Sequence, residues 1–290
     1  MNILSLFDGI SCGRVATERS NIKVTNYYAS EINEKAIAVS KYNYSGIQHI
    51  GNIFDFETWE LPKIDLIIGG SPCQNLSSSN VYGDGKGLNG EKSKLFWEYL
   101  KVLNKYKPKY FLFENVGSMK NIDKDVITRE LGVQPLKINS QLFSAQKRNR
   151  LYWTNMPCEI PTERKNIFME DISETTVPDK YYLKQGTLDC IMSPAKKGWC
   201  SGKMEIDLEI GRPITASCWR IHRADTDNYI STKYCPDGRT NVRRLTPLEC
   251  ERMQTLPDNY TSILKDKDRY EAIGNGWTVD VIAHIFKGLK

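Results

Sequence analysis

Four short stretches place chemically capable residue types directly after apolar runs. Gly69-Gly70-Ser71-Pro72-Cys73-Gln74 follows the mainly apolar Ile64–Ile68. Two glycines and a proline fix an unusual backbone path there. It presents Cys73 at the carboxyl end of a strand, where doubly wound sheets bind their ligands. A cysteine so placed is a candidate nucleophile, reacting as the thiolate. A lone cysteine elsewhere reads as a small buried hydrophobe, and placement reverses that preference here. Phe113-Glu114-Asn115-Val116 ends a second run, and a carboxylate held partly buried there can serve as an acid. Gln146-Lys147-Arg148-Asn149-Arg150 leads into Leu151-Tyr152-Trp153. Alternate residues of a strand share a face, so Arg148 and Arg150 are expected to direct two cations to one site. Taken singly, each reads as a surface charge. The fourth stretch is Gly9-x3-Gly13 after Ile3–Phe7, a turn through which a backbone can approach a nucleotide-like ligand. It is not G-x-G-x-x-G, so the dinucleotide fingerprint is absent. Glu31, after Tyr27–Ser30, stands where an acidic residue commonly holds ribose hydroxyls. A tight turn with an exposed Glu explains that pair equally well.

These residues need a scaffold that brings strand ends together. Ile3–Phe7, Tyr27–Ser30, Ile64–Ile68, Tyr110–Phe113 and Arg150–Thr154 read as buried strands. Helix-compatible stretches from Arg14, through Ala36, Ile37 and Val39, and over Leu95–Tyr106 lie between them, the last stopped by Pro108. Strands alternating with helices imply an α/β fold with a parallel, doubly wound sheet. Ser77–Lys92 holds Gly83, Gly85, Gly87 and Gly90 and no apolar periodicity, as in a loop that closes over a site. From about Pro157 to Asn241 the rhythm gives way to short β-like pieces and basic residues. It returns in a helix over Pro247–Gln254, with proline in its first turn, and a closing helix over Val279–Phe286.

The 290 residues carry 40 Lys+Arg against 35 Asp+Glu, a formal charge of +5. That mild excess permits a nucleic-acid partner without demanding one. Residues 212–244 hold seven Lys+Arg against three Asp, a local excess of +4 in an otherwise irregular surface. The longest stretch without a charge, Leu66–Gly83, is crowded with Ser, Asn and Gly, so no membrane span is expected. Asp8 interrupts the short apolar N-terminus, which lacks a cationic lead and does not read as a signal peptide. Eight cysteines in a chain able to bury a full core suggest free thiols in a reducing, cytoplasmic setting. Cys218-x3-His222 has half the ligands of a zinc site and no second pair follows, so no metal is expected.

In this order, the Pro72-Cys73-Gln74, Glu114-Asn115-Val116 and Gln146-x-Arg148-x-Arg150 motifs resemble the cytosine-C5 DNA methyltransferase family over nearly the whole chain. Arg244-Leu245-Thr246-Pro247-x-Glu249-Cys250-x-Arg252-x-Gln254 is similar to the family motif that follows its target recognition domain. Ile273-Gly274-Asn275-Gly276-Trp277-Thr278-Val279 resembles the final motif. Phe7-Asp8-Gly9-Ile10, Ala29-Ser30-Glu31 and the Val281-Ile282-x-His284-x-Phe286 tail look closest to the de novo type. The length suits a bare catalytic module, as in bacterial or phage enzymes.

The resemblance implies a Rossmann-like S-adenosylmethionine-dependent sheet in a catalytic domain of residues 1–157 plus 244–290. A target recognition domain of residues 158–243 would be inserted in it. It implies addition of Cys73 to cytosine C6, contact of Glu114 with the exocyclic amine and N3, of Arg150 with O2, and support from Arg148. The methyl group passes from S-adenosylmethionine to C5, leaving S-adenosylhomocysteine. The target base must leave the duplex to be reached, with the Ser77–Lys92 loop closing over it. For the cofactor the resemblance implies Phe7 stacked on adenine with Ile53 on its other side, Glu31 on the ribose, and Gly9–Gly13 near the methionine portion. Asp8, Ile10, Cys12, Ile32, Asn52, Gly70, Pro72, Leu95, Asn275 and Trp277 would complete the site. The family commonly has Asp where this chain has Asn52, and an amide oxygen still accepts the adenine amino hydrogen.

Gln74, Ser77, Arg212, Arg220, Arg223, Lys233, Arg239, Arg243 and Thr246 are the candidates for double-stranded DNA contacts, with Gly211–Ser217 resembling the segment that approaches DNA. A monomer acting at the nucleoid, with or without a cognate restriction endonuclease, follows from the same resemblance. An RNA methyltransferase of the tRNA type is the alternative. That branch carries Cys-Phe-Thr where this chain reads Cys218-Trp219-Arg220. A non-catalytic DNA-binding relative would have lost Cys73 or Glu114, and a Rossmann oxidoreductase leaves Pro72-Cys73-Gln74 unexplained.

Overall fold

The computed structural model describes residues 1–72, 94–193, 203–220 and 223–289. Cys73, Gln74, Ser77, the rest of the Ser77–Lys92 stretch and His222 lie outside the described residues. The chain packs as two compact units. The first comprises Met1–Asn139, Asn149–Thr162 and Val279–Lys290, the second Ser140–Arg148 and Glu163–Thr278.

The first unit is built on a seven-stranded sheet. Its strands are β1 (Asn2–Leu6), β2 (Asn26–Ser30), β3 (Ile47–His49), β4 (Leu66–Gly69), β5 (Tyr110–Val116), β6 (Leu136–Asn139) and β7 (Asn149–Thr154), in the order β3-β2-β1-β4-β5-β7-β6. The first five run parallel. Strand β7 does not: it pairs antiparallel with both β5 and β6, so the sheet is mixed rather than wholly parallel. Strand order reverses between β1 and β4, which makes the carboxyl ends of those strands the ligand-binding crevice of a doubly wound sheet. Continuous burial explains why these segments are strands. Every residue of β4 and β5 is buried, and Leu4, Leu6, Ile67, Phe96, Tyr99, Phe113 and Trp153 share one core. Helix α3 (Lys94–Tyr106) buries Phe96, Tyr99 and Val102 against it.

Helices α1 (Cys12–Arg19), α2 (Glu34–Asn43), α4 (Asn121–Leu131) and α9 (Val279–Phe286) complete this unit. Helix α1 packs on α9, with Ser20 donating to the Ala283 carbonyl at 3.0 Å and Arg19 paired with Asp280. Gly13 lets α1 lie close to the sheet, because a Cβ there would fall 2.4 Å from Ile68 Cδ1.

The second unit holds α5 (Met169–Ile172), α6 (Gln185–Met192), the antiparallel pair β8 (Tyr229–Ser231) and β9 (Val242–Arg244), α7 (Pro247–Met253) and α8 (Asp266–Asn275). Its larger core joins Met169, Tyr181, Ile214, Leu245, Cys250, Met253, Tyr270 and Ile273. Helix α7 starts as its sequence dictates: Thr246 caps the Glu249 amide, Glu249 returns the bond to the Thr246 amide, and Pro247 fills the first turn. Residues 244–278 join the second unit through the α7 and α8 core, and 140–148 join it through hydrogen bonds that pair Ala145 and Lys147 with Gly211.

Candidate active site

The site is assembled from strand ends. After β1 the chain turns sharply, with Phe7, Gly9 and Ser11 all in the left-handed region at φ of 56°, 58° and 61°. Side chains beneath hold this shape. Asp8 accepts from Ser11 Oγ at 2.5 Å and from the Tyr27 hydroxyl at 2.8 Å, and the Ser11 and Ser40 hydroxyls lie 2.7 Å apart. Burial pushes the Asp8 carboxyl up to about 6, against the hydrogen bonds from Ser11, Ser5 and Tyr27 that pull it down. Glu31, just past β2, accepts the Gly9 amide on one oxygen and the Ile32 and Asn33 amides on the other, each at 2.8 Å. Two carboxylate oxygens offer about four acceptor positions, so one remains for a ligand hydroxyl.

Around this turn Phe7, Gly9 and Leu95 are half-buried and Ile32 is 69% exposed. Ile10 and Cys12 point into the core, so that part of the turn can meet a ligand only through its main chain. Ile53 is the buried member of an adjacent apolar pair. It is 4% exposed and belongs to the core, while its neighbour Phe54 is 56% exposed, because the 3₁₀ turn Ile53–Thr58 points Ile53 inward. Asn52 caps that turn, its side-chain oxygen accepting the Phe54 amide at 3.2 Å.

At the end of β5, Glu114 is 9% exposed and pairs with Arg150 of β7, Arg150 Nε lying 3.0 Å from Glu114 Oε1. The antiparallel register that sets Val116 opposite Arg150 makes this diagonal contact possible. Asn115 donates to the carbonyl and hydroxyl of Ser71, both at 3.3 Å, tying β5 to the segment that leads to Cys73. Gly70 is half-buried and Pro72 exposed beside it. Reading the sequence had assigned nothing to Asn115, Ser11 or Tyr27. Asn115 and Ser11 adjoin assigned residues, whereas Tyr27 lies inside a strand four residues before Glu31.

The structure does not treat the two arginines alike. Arg148 is 5% exposed and donates to the Ile214, Gly274 and Gly276 carbonyls, whereas Arg150 faces Glu114. Asn275 is exposed at the end of α8 and Trp277 half-buried. Two DNA candidates are also buried. Arg243 is 1% exposed and forms a bidentate pair with Glu249 at 2.7 and 2.8 Å, and Thr246 caps α7 while bonding Glu174. Arg212, Arg223 and Arg239 are half-buried. Arg212 bonds Glu205 and the Asp227 carbonyl, Arg223 pairs with Asp227, and Arg239 donates to the Tyr182 carbonyl. Arg220 and Lys233 are exposed, Arg220 stacked 5.2 Å from the Trp219 ring centre. Among the described residues no group of three His, Cys, Asp or Glu side chains could hold a metal, and no helix is long and apolar enough to cross a membrane.

The strand order defines a Rossmann-like α/β fold, and the turns after β1, β2, β4 and β5 stand at the strand ends where such sheets bind ligands. The S. pombe Dnmt2 methyltransferase superposes with a TM-score of 0.72 at 18% identity, covering all of this chain and 99% of that one. A prophage-encoded DNA modification methyltransferase, described as putative, from E. coli gives 0.66 at 15%, covering 100% and 98%. At such identities the likeness shows the fold. Residues 1–290 match the family model described as C-5 cytosine-specific DNA methylase, and the chain belongs to that family. Its activity is that of a DNA cytosine methyltransferase, which implies an S-adenosylmethionine cofactor. Relatives include the Type II methyltransferase M1.ScrFI of Lactococcus lactis subsp. cremoris, 26% identical over 97% of this chain and 75% of its own length. M.NlaX of Neisseria lactamica is 27% identical over 99% and 96%.

Proposed function

We propose that the protein methylates C5 of a cytosine flipped out of double-stranded DNA at a specific sequence, through covalent addition of Cys73. The observation that carries the reading is the Glu114–Arg150 pair at the end of β5, with the segment before Cys73 tied to the same strand by Asn115. Cytosine C5 is a weak nucleophile. Addition of the Cys73 thiolate at C6 breaks the C5–C6 double bond and makes C5 enamine-like. Glu114 holds the exocyclic amine and N3, so that negative charge does not build on the ring, and Arg150 holds Glu114 and O2. Loss of the C5 proton then drives out the Cys73 sulfur and restores the ring.

S-adenosylmethionine supplies the methyl group when bound. The free acceptor position of Glu31, the exposed Ile32 and the half-buried Phe7 and Leu95 fit a ribose and an adenine. Ser71–Pro72 and Gly9 lie at the ends of the neighbouring strands β4 and β1. Among the described DNA-contact candidates, Arg220 and Lys233 are the exposed ones and would meet phosphate. The protein acts as a monomer in the cytoplasm, with or without a cognate restriction endonuclease. The test is transfer from methyl-labelled S-adenosylmethionine to duplex DNA and to tRNA, with bisulfite sequencing of the product. Labelled DNA with cytosines protected from bisulfite conversion at one sequence is expected. Label only in tRNA would transfer the reading to the RNA branch.

A further inference from the structure

We propose that Cys218 and Cys250 form a dithiol that reacts with small disulfides of the glutathione type and closes into an intramolecular disulfide. The bond staples the turn Cys218–Arg220 to α7. Neither sulfur takes part in methyl transfer as proposed above.

The two thiols come from separate elements of the second unit. Cys218 opens the 3₁₀ turn Cys218–Arg220, and Cys250 lies within α7. Both are free, Cys218 half-buried and Cys250 2% exposed. They are hydrogen-bonded to each other, and that bond together with burial pushes the Cys250 thiol well up. Both also line one cavity of about 20 Å³, with Arg244, Leu245 and Tyr270. A space of that size holds about one water, so no organic molecule enters between the sulfurs. The covalent bond that this pair can complete is therefore S–S. Cys218 is the sulfur open to an incoming disulfide, and Cys250 is shielded behind it. Arg244 adds a cation to the cavity, the kind of setting in which cysteines react.

The exchange runs in two steps. The Cys218 thiolate attacks one sulfur of the small disulfide, whose S–S bond breaks. A mixed disulfide forms on Cys218, and the first small thiol leaves with the proton that Cys218 gave up. The hydrogen bond that raised Cys250 is then gone. Cys250 releases its proton and attacks the Cys218 sulfur, and the second small thiolate departs and takes up that proton. The dithiol has lost two electrons and two protons, and the small disulfide has become two thiols. An S–S bond of about 2 Å is shorter than a thiol hydrogen bond, so closure draws the turn toward α7. The turn moves as a piece, because the Cys218 and Arg220 amides donate to the Thr215 and Ser217 carbonyls, both at 3.1 Å.

The test exposes the full reduced chain to oxidised glutathione, alkylates the remaining thiols, and maps linked peptides by mass spectrometry without reductant. A peptide pair joining Cys218 to Cys250, lighter by two hydrogens and reopened by dithiothreitol, is expected. Cys250→Ala should stop the reaction one step earlier and accumulate glutathione on Cys218. Cys218→Ser should leave Cys250 with neither glutathione nor a link. Thermal melts check that both variants fold, and the native map decides the matter even where a variant does not. Absence of the Cys218–Cys250 link in the native protein, or a product that stays as glutathione on Cys218, overturns the proposal. Glutathione on Cys250 in Cys218→Ser overturns the order of attack. Amide hydrogen exchange reads the staple itself: residues 218–220 should exchange severalfold more slowly in the linked protein, and equal exchange would contradict it.

Discussion

Replacing Asp8 with Asn should make the apo protein more stable at neutral pH while leaving it unchanged in acid. Asp8 sits under the turn after β1 with its carboxyl raised by burial from 3.8 to about 6. In the unfolded chain it returns to its ordinary value. The folded state therefore holds the proton more tightly, and the stability contributed by this group is complete below about pH 3.8. It is lost as pH rises through about 6, and flat above. A displacement from 3.8 to about 6 corresponds to about 3 kcal/mol, an upper figure for what Asn restores. The substitution leaves no orphan, because the Ser11 and Tyr27 hydroxyls that donate to Asp8 can also accept from an amide. Urea unfolding of both proteins between pH 4 and 8, followed by circular dichroism, measures the difference. Asp8→Asn should gain over the native protein between pH 4 and 6 and hold that gain at pH 8. Parallel curves at every pH, or a variant less stable at pH 8, would refute the assignment of burial as the dominant effect.

Arg243→Ala should lower stability by about 3–5 kcal/mol, because it leaves Glu249 buried without its bidentate partner, and a thermal melt reads this directly. Arg220→Ala should leave the melt unchanged but reduce the salt slope of duplex binding by about one, as removal of one phosphate contact does. An unchanged slope would take Arg220 out of the DNA interface. Glu114→Gln keeps the side-chain shape but removes the carboxylate that faces Arg150. Methyl transfer should fall by about 10²–10⁴-fold with donor binding retained.

Much of the site was readable because glycine, proline and polar triplets interrupt apolar strands at their carboxyl ends, where a doubly wound sheet collects ligands. Strand direction was not readable. Leu151–Thr154 is equally apolar whichever way it runs, and only pairing with β5 and β6 reveals that β7 is reversed. Helix α8 escaped because most of Asp266–Asn275 is polar, with Tyr270, Ile273 and Gly274 its buried residues. The roles of the arginines depend on partners that sequence spacing does not disclose. Arg148 finds carbonyls 66, 126 and 128 residues away. Arg243 turns inward to a carboxylate six residues on, inside a charge-rich stretch that reads as surface. Ile53 and Phe54 are both apolar in sequence, and only the 3₁₀ turn capped by Asn52 decides which of the two faces inward.

The covalent step is the central claim, and a duplex carrying 5-fluorocytosine at the methylated position tests it. With S-adenosylmethionine present, the protein should form a denaturant-resistant adduct whose mass equals enzyme plus methylated oligonucleotide. Proteolysis should map the link to Cys73, and Cys73→Ala should form none. An enzyme that methylates ordinary duplex yet traps nothing, or an adduct mapped to another residue, would contradict the account.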